Sequence, residues 1–233
     1  MNSFLRFVSI GSAVLAAPFA ICAETTTAPA APAAASGFSL QQLTEGLKSG
    51  LGSIITQSLA QGKVTVPAPS ALAKVETAVS KTGNAEAASG FSGALSAAVA
   101  QVTPQTGGVM QGVLKDMKIE DAQAVLSGGP DAATQYFKKH AGAALREKML
   151  PIVKQATASS GVATKAKAML EAAGPLAGLG GNGAVADLDG YVCDQVLKQS
   201  YALMAKQEAV VRANPTLLTD SPLAQKVFAL FKK

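Results

Sequence analysis

The sequence predicts an all-α protein: one multi-helix domain over residues 37–233, with a short extended segment near residues 63–66. Three observations carry this. Apolar residues recur at three- and four-residue steps through most of the chain beyond residue 36. The hydrophobic content of 48% is built from Ala, Leu and Val, with 5% aromatic residues and no Trp, which suits close helix packing more than a β-sandwich. Pro and Gly fall between the periodic stretches, where they punctuate helices.

The first 36 residues follow a different logic. Residues 1–6 carry one positive charge, Arg6, and residues 7–21 are almost continuously apolar. That apolar run of about 15 residues is short of the roughly 20 needed to span a bilayer and matches a cleaved secretory signal peptide. Cleavage after Ala23 makes residues 1–23 the leader and Glu24 the first mature residue. Cys22 offers a second route, lipid attachment to a cysteine that becomes the new N-terminus, with bulky Ile21 before it counting against that route. The expectation is therefore export to the periplasm, the alternative being a lipid anchor at Cys22, the one case in which membrane contact is expected. Residues 24–36 (ETTTAPAAPAAAS) have no period and bury too little to offset their ordering entropy, so they read as a flexible Ala/Pro/Thr linker.

The first helix is expected over residues 38–59, where Leu40, Leu43, Leu47, Leu51, Ile54 and Ile55 form one apolar stripe. Gly46, Gly50 and Gly52 lower its propensity and are expected to admit a neighbouring helix closely, the alternative being a hinge. Residues 63–67 alternate and end in Val66-Pro67-Ala68-Pro69, which forbids helix. Ser70 is expected to cap a second helix that turns Leu72, Val75 and Val79 inward and stops at Gly83-Asn84. An alanine-rich helix over 86–102 presents Phe91, Leu95 and Val99. Pro104 is expected to break it, with a further helix through Val109, Val113 and Leu114 to about residue 117.

A short helix over 119–126 ends at Ser127-Gly128-Gly129-Pro130, and Pro130 with Asp131 suits the first turn of the next. If Gly129 takes a positive φ, valine there would cost stability. The following helix carries Ala132 to Lys139, another spans 145–158 with an interruption at Pro151, and one more spans 162–172. Residues 174–186 are a Gly/Ala-rich stretch without the GxxxxGK[ST] pattern of a phosphate loop, read as a connection, with a mobile flap over a cleft as the alternative. A second long helix over 188–213 places Val192, Val196, Leu203 and Val210 inward and ends at Asn214-Pro215. Residues 221–230 form a last short helix that docks through Leu223, Val227 and Phe228.

Several of these blocks have a familiar order. They are IEDAQAVLSGGPDAATQYFKK from Ile119, LREKMLPIVKQAT from Leu145, then Gly161-Val162 and Leu188-Asp189-Gly190-Tyr191-Val192. Glu208, Arg212, Asn214-Pro215 and Lys226-Val227-Phe228 continue the series, and the Leu-rich helix leading into 64–67 opens it. Together they resemble DUF4197, a bacterial family of exported proteins of unknown function, over essentially all of the chain beyond the linker. The resemblance implies a helical domain behind a secretory or lipoprotein-like leader, and implies no activity. Three positions depart from the family pattern. His140 stands where a small hydroxyl residue is usual, Met149 where an aromatic is common, and Gln207 precedes Glu208 where the family has paired acids.

The formal charge of +5 is spread over a chain with only 15% charged residues, and no basic stripe for nucleic acid is present. With Cys22 removed or lipidated, Cys193 has no intrachain partner and no disulfide framework is expected. His140 is the only histidine and has no acid pair at helical spacing, so it reads most simply as a solvated helix residue. Asp187, Asp189 and Asp194 lack calcium-loop spacing. No metal and no cofactor are expected. There is no GxSxG elbow, and Cys193 on a periodic helix reads as a buried structural thiol.

Two polar sets remain as candidate binding residues. Tyr136, Lys138, Lys139 and His140 can present phenol and ammonium groups to an anionic partner while Phe137 turns inward. Glu208 and Arg212, four apart, suit an ion pair on one helix face. The leading expectation is a non-enzymatic cell-envelope protein that binds or scaffolds a protein, a lipid or a small apolar ligand. The alternative is an envelope hydrolase whose site assembles from distant acidic and basic residues, and a passive structural component is a third reading.

Overall fold

Helix α1 (Leu40–Gln61) opens on a capping box: the Gln42 N–H donates to the Ser39 hydroxyl at 3.2 Å, and the Ser39 N–H donates to Gln42 Oε1 at 2.9 Å. This is a computed structural model in which residues 37–180 and 186–232 are described. The expected leader (1–23), the linker (24–36), Cys22 and residues 181–185 of the Gly/Ala-rich connection lie outside the described residues. After α1 the chain runs through residues 62–69 without helix or strand and enters α2 (Ser70–Lys81). Pro69, not Ser70, holds the N-cap position there, and no side chain caps that end. Helices α3 (Ala85–Asp116), α4 (Ala122–Ser127), α5 (Ala132–Ser159) and α6 (Val162–Ala173) follow. A 3-10 turn over Gly174–Gly180, α7 (Leu188–Ala213), a second 3-10 turn over Pro215–Leu217 and α8 (Pro222–Leu230) complete the order. The fold is all-α, with no strand among the described residues.

Two expected helix breaks do not occur. Helix α3 is continuous through Pro104, and α5 runs unbroken from Ala132 to Ser159, joining the expected helices over 132–139 and 145–158 and passing through Pro151 without the expected interruption. Both prolines sit on exposed faces, and so do Ala100 and Glu147, the residues whose carbonyls lose their helical donor. Those carbonyls reach water, while the buried stripes run on unbroken: Val99, Val102, Thr106 and Met110 in α3, and Leu145, Met149 and Val153 in α5. Burial outweighs the local proline penalty when the orphaned group stays solvated.

Helices α1, α3, α5 and α7 pack in a closed circuit, α1 on α3, α3 on α5, α5 on α7 and α7 on α1. Their facing stripes form the core, with Leu47, Ile54, Phe91, Phe137, Leu145 and Met204 among its fully buried side chains. Helices α2 and α6 pack on α3, α8 packs on α1, and α4 lies against α1 and α5. The α1–α8 contact explains two of the three glycines in α1. A Cβ on Gly46 would come within 2.6 Å of Val227, and one on Gly50 would run into the Phe228 ring, whereas one on Gly52 meets nothing within 4 Å.

Smaller corrections have equally local causes. Gly129 does not take a positive φ, and a Cβ there meets nothing; Gly128 is the confined residue, 2.5 Å from the Ala132 Cβ position. Val210 is 50% exposed because Val211, one step round the helix, takes the inward place. Leu40 is 68% exposed at the first turn of α1, beyond the end of the core. Leu223 is half-buried, while Val227 and Phe228 dock fully. No described helix is long and apolar enough to cross a membrane.

Candidate functional site

The polar residues singled out by the sequence separate into two environments. Glu208 is completely buried and Arg212 is 8% exposed, so the pair faces the interior and not a surface. Arg212 Nε donates to Glu208 Oε1 at 2.8 Å. The Glu208 carboxylate also accepts the N–H groups of Ala133 at 2.9 Å and Thr134 at 2.7 Å, at the start of α5. The guanidinium donates to the carbonyls of Leu126 at 2.7 Å and Val125 at 3.1 Å, near the end of α4. Asp131, at the N-cap position of α5, makes no side-chain cap of its own. One ion pair on α7 thus caps two other helices, an acid at a positive helix end and a base at a negative one. These groups are committed to the fold, which takes both residues out of reach of an external partner. Gln207 beside them donates to Gln57 Oε1 at 2.7 Å and ties α7 to α1.

On α5, Phe137 is fully buried and Lys138, Lys139 and His140 are exposed. The four polar residues do not form one cluster. Tyr136 stacks on His140, with ring centroids 4.2 Å apart, and its hydroxyl accepts the Glu120 N–H at 3.3 Å. Tyr136 and Lys139 line a shallow hollow against α4 with Asp121 and Gln135. Lys138 lies on the other side, 6.0 Å from the centre of the Tyr201 ring on α7.

The acids near the start of α7 are engaged one by one. Asp187 accepts the Gly190 N–H at 2.9 Å as the helix cap, Asp189 accepts the Thr157 hydroxyl at 2.5 Å, and Asp194 holds Arg146 Nε at 2.7 Å. No group of three metal-ligating side chains gathers among the described residues. Cys193 is fully buried, and burial, reinforced by Asp194, pushes its thiol up to about 11. Burial likewise pushes the Tyr201 phenol up to about 12.

A groove of about 890 Å³ lies elsewhere, walled by the C-terminal part of α1, the extended residues 62–66 and the middle of α3. Ile55, Leu59, Val64, Val66 and Val99 supply apolar surface, and Ala100, Gly107 and Gly108 keep the α3 wall low. Its volume lies in the range of small-ligand sites. In the sequence its parts stand separately: Pro104 as a helix break, 63–66 as a short extended segment, and Gly107-Gly108 with no assigned role. The available signal was the pairing of a helix-interior proline with two glycines one turn on, opposite a strand-like run with no second strand to join.

No curated protein and no solved structure matches this chain. A family model described as "Protein of unknown function (DUF4197)" matches residues 35–229, which takes in the groove and all of the helices except the last residue of α8. The chain belongs to the DUF4197 family.

Proposed function

We propose that this protein is a non-catalytic binding component of the cell envelope, and that the groove between α1, residues 62–66 and α3 seats its partner. The observation that carries this reading is the groove itself: about 890 Å³, open to solvent at its rim, with aliphatic side chains such as Ile55, Leu59, Val64 and Val99 alternating with polar ones such as Thr56, Ser96, Thr103 and Gln111. Envelope placement rests on the apolar leader of residues 7–21 and the linker behind it. Binding is favoured over hydrolysis because the buried acid and base, Glu208 and Arg212, are consumed in capping helices, and neither lines the groove.

The test is a groove-filling substitution. A Cβ on Gly107 sits 3.4 Å from the Leu59 side chain, so Gly107→Leu projects into the groove without striking backbone. Leucine also has the better helix propensity, by somewhat under 1 kcal/mol. N-phenyl-1-naphthylamine, a neutral apolar dye, should bind the parent saturably and the variant weakly, with Tm held or raised in the variant. Equal dye binding by both would overturn the assignment of the groove.

A further inference from the structure

Residues 62–66 form one wall of the groove, and the backbone of Lys63, Val64, Thr65 and Val66 makes no hydrogen bond to another described segment. The segment is nonetheless fixed at both ends. The Gly62 N–H donates to the Ser58 carbonyl at 2.9 Å, and the Tyr191 hydroxyl donates to the Pro67 carbonyl at 2.9 Å. Val64 is buried and Val66 half-buried, while Lys63 and Thr65 are exposed, the alternation of a strand with one face on a core. Such a segment offers its N–H and C=O groups sideways, as the edge of a sheet does.

The α3 wall holds a second acceptor, one that lacks its ordinary helical donor. Pro104 has no N–H to give the Ala100 carbonyl, and both residues line the groove. The neighbouring carbonyls of Val99, Gln101 and Val102 each take a side-chain donor, and that of Ala100 takes none among the described residues. A hydrocarbon chain would fill this groove and leave these amide groups without partners. An extended peptide supplies donors and acceptors at strand spacing, and an extended segment already pinned at both ends costs little to order. Lys63 is the one charged residue on the described lining, so charge complementarity places a carboxylate opposite it.

Resting on the binding role given to the groove, we infer that its occupant is an extended peptide segment of another protein. The peptide adds edge-on to residues 63–66, turns small apolar side chains toward Ala100 and Gly107, and sets an acidic side chain against Lys63.

The probe is a phage-displayed library of random dodecapeptides, selected on the protein and counter-selected on Gly107→Leu. Recovered peptides should alternate apolar residues, carry an acid and shift the backbone amide NMR signals of residues 63–66. N-methylation of a peptide nitrogen that pairs with the strand should weaken binding about tenfold. Lys63→Gln should weaken it at low salt and much less at high salt. Pro104→Ala restores a donor to the Ala100 carbonyl, so it should raise Tm while weakening the peptide, opposite signs that a purely structural proline does not produce. Peptides that bind Gly107→Leu as well as the parent, or that tolerate N-methylation at every position, overturn the inference. Saturable N-phenyl-1-naphthylamine binding that Gly107→Leu abolishes would then leave the groove as an apolar site with a hydrocarbon occupant. Loss of both signals would remove the binding role as well.

Discussion

Glu208 and Arg212 meet at 2.8 Å inside the protein, and the carboxylate and guanidinium each hold the backbone of a different helix terminus. The relationship is tertiary, although the spacing of four residues looks like an ordinary surface pair. Residues 126–134, the junction between α4 and α5, are held from α7 by these two side chains.

The first prediction follows from that burial. Arg212→Met leaves the Glu208 charge uncompensated and removes the guanidinium from the Leu126 and Val125 carbonyls, of which Val125 keeps the Gly128 N–H, so it should cost about 3–5 kcal/mol in urea unfolding. Glu208→Leu removes the two N–H contacts at the start of α5 and should cost a similar amount. The double variant should lose clearly less than the sum of the two, because neither charge is then stranded. Strict additivity would show that the pair does not act as a unit.

Glycines in α1 make an opposed pair. Gly50→Ala puts a methyl group into the Phe228 ring of the docked α8 and should destabilise by about 1–3 kcal/mol through overpacking. Gly52→Ala meets open space and should stabilise by about 0.5–1 kcal/mol through backbone entropy and helix propensity. Thermal unfolding of the two single variants checks both signs.

What the sequence made legible was periodic burial. The stripe through Leu43, Leu47, Leu51 and Ile54 follows from spacing, because a helix must bury one face, and the end of α7 from the Asn214-Pro215 stop. Pro104 and Pro151 were misread because a local rule was applied without the exposure that decides its cost. Glu208 was recognisable as half of an ion pair, but its role as cap to Ala133 and Thr134 spans 75 and 74 residues of chain and leaves no local trace. The groove was hidden for the same reason. Its walls are short, individually unremarkable pieces of α1, the extended segment and α3, brought together only by the fold.

At the α4–α5 junction, the confined glycine is Gly128. Its Cβ would stand 2.5 Å from that of Ala132 and 3.1 Å from the Val125 carbonyl oxygen, while a Cβ on Gly129 is free. Gly128→Val should therefore lower Tm by several degrees, about 1–3 kcal/mol at the midpoint, and Gly129→Ala should leave it within about 0.5 kcal/mol. Equal effects would place the constraint on the backbone and not on this contact.

Cys193 gives a prediction in pH. Its thiol is held neutral in the fold, up to about 11 against an ordinary value of 9.0, because burial disfavours the thiolate and Asp194 adds repulsion. Above about pH 9 the unfolded chain releases this proton while the folded chain keeps it. The unfolded state then binds fewer protons, and stability must fall as pH rises. The contribution is complete below pH 9 and is lost as pH climbs toward 11, amounting to about 2–3 kcal/mol at the upper end. Tyr201, raised to about 12 from 10.0, adds a second loss that begins near pH 10. Urea midpoints measured from pH 8 to 11 should decline in the parent and decline less steeply in Cys193→Ala. The difference between the two curves isolates the thiol from lysine titration common to both. Parallel curves would mean that Cys193 ionises as readily in the folded protein as in the unfolded chain.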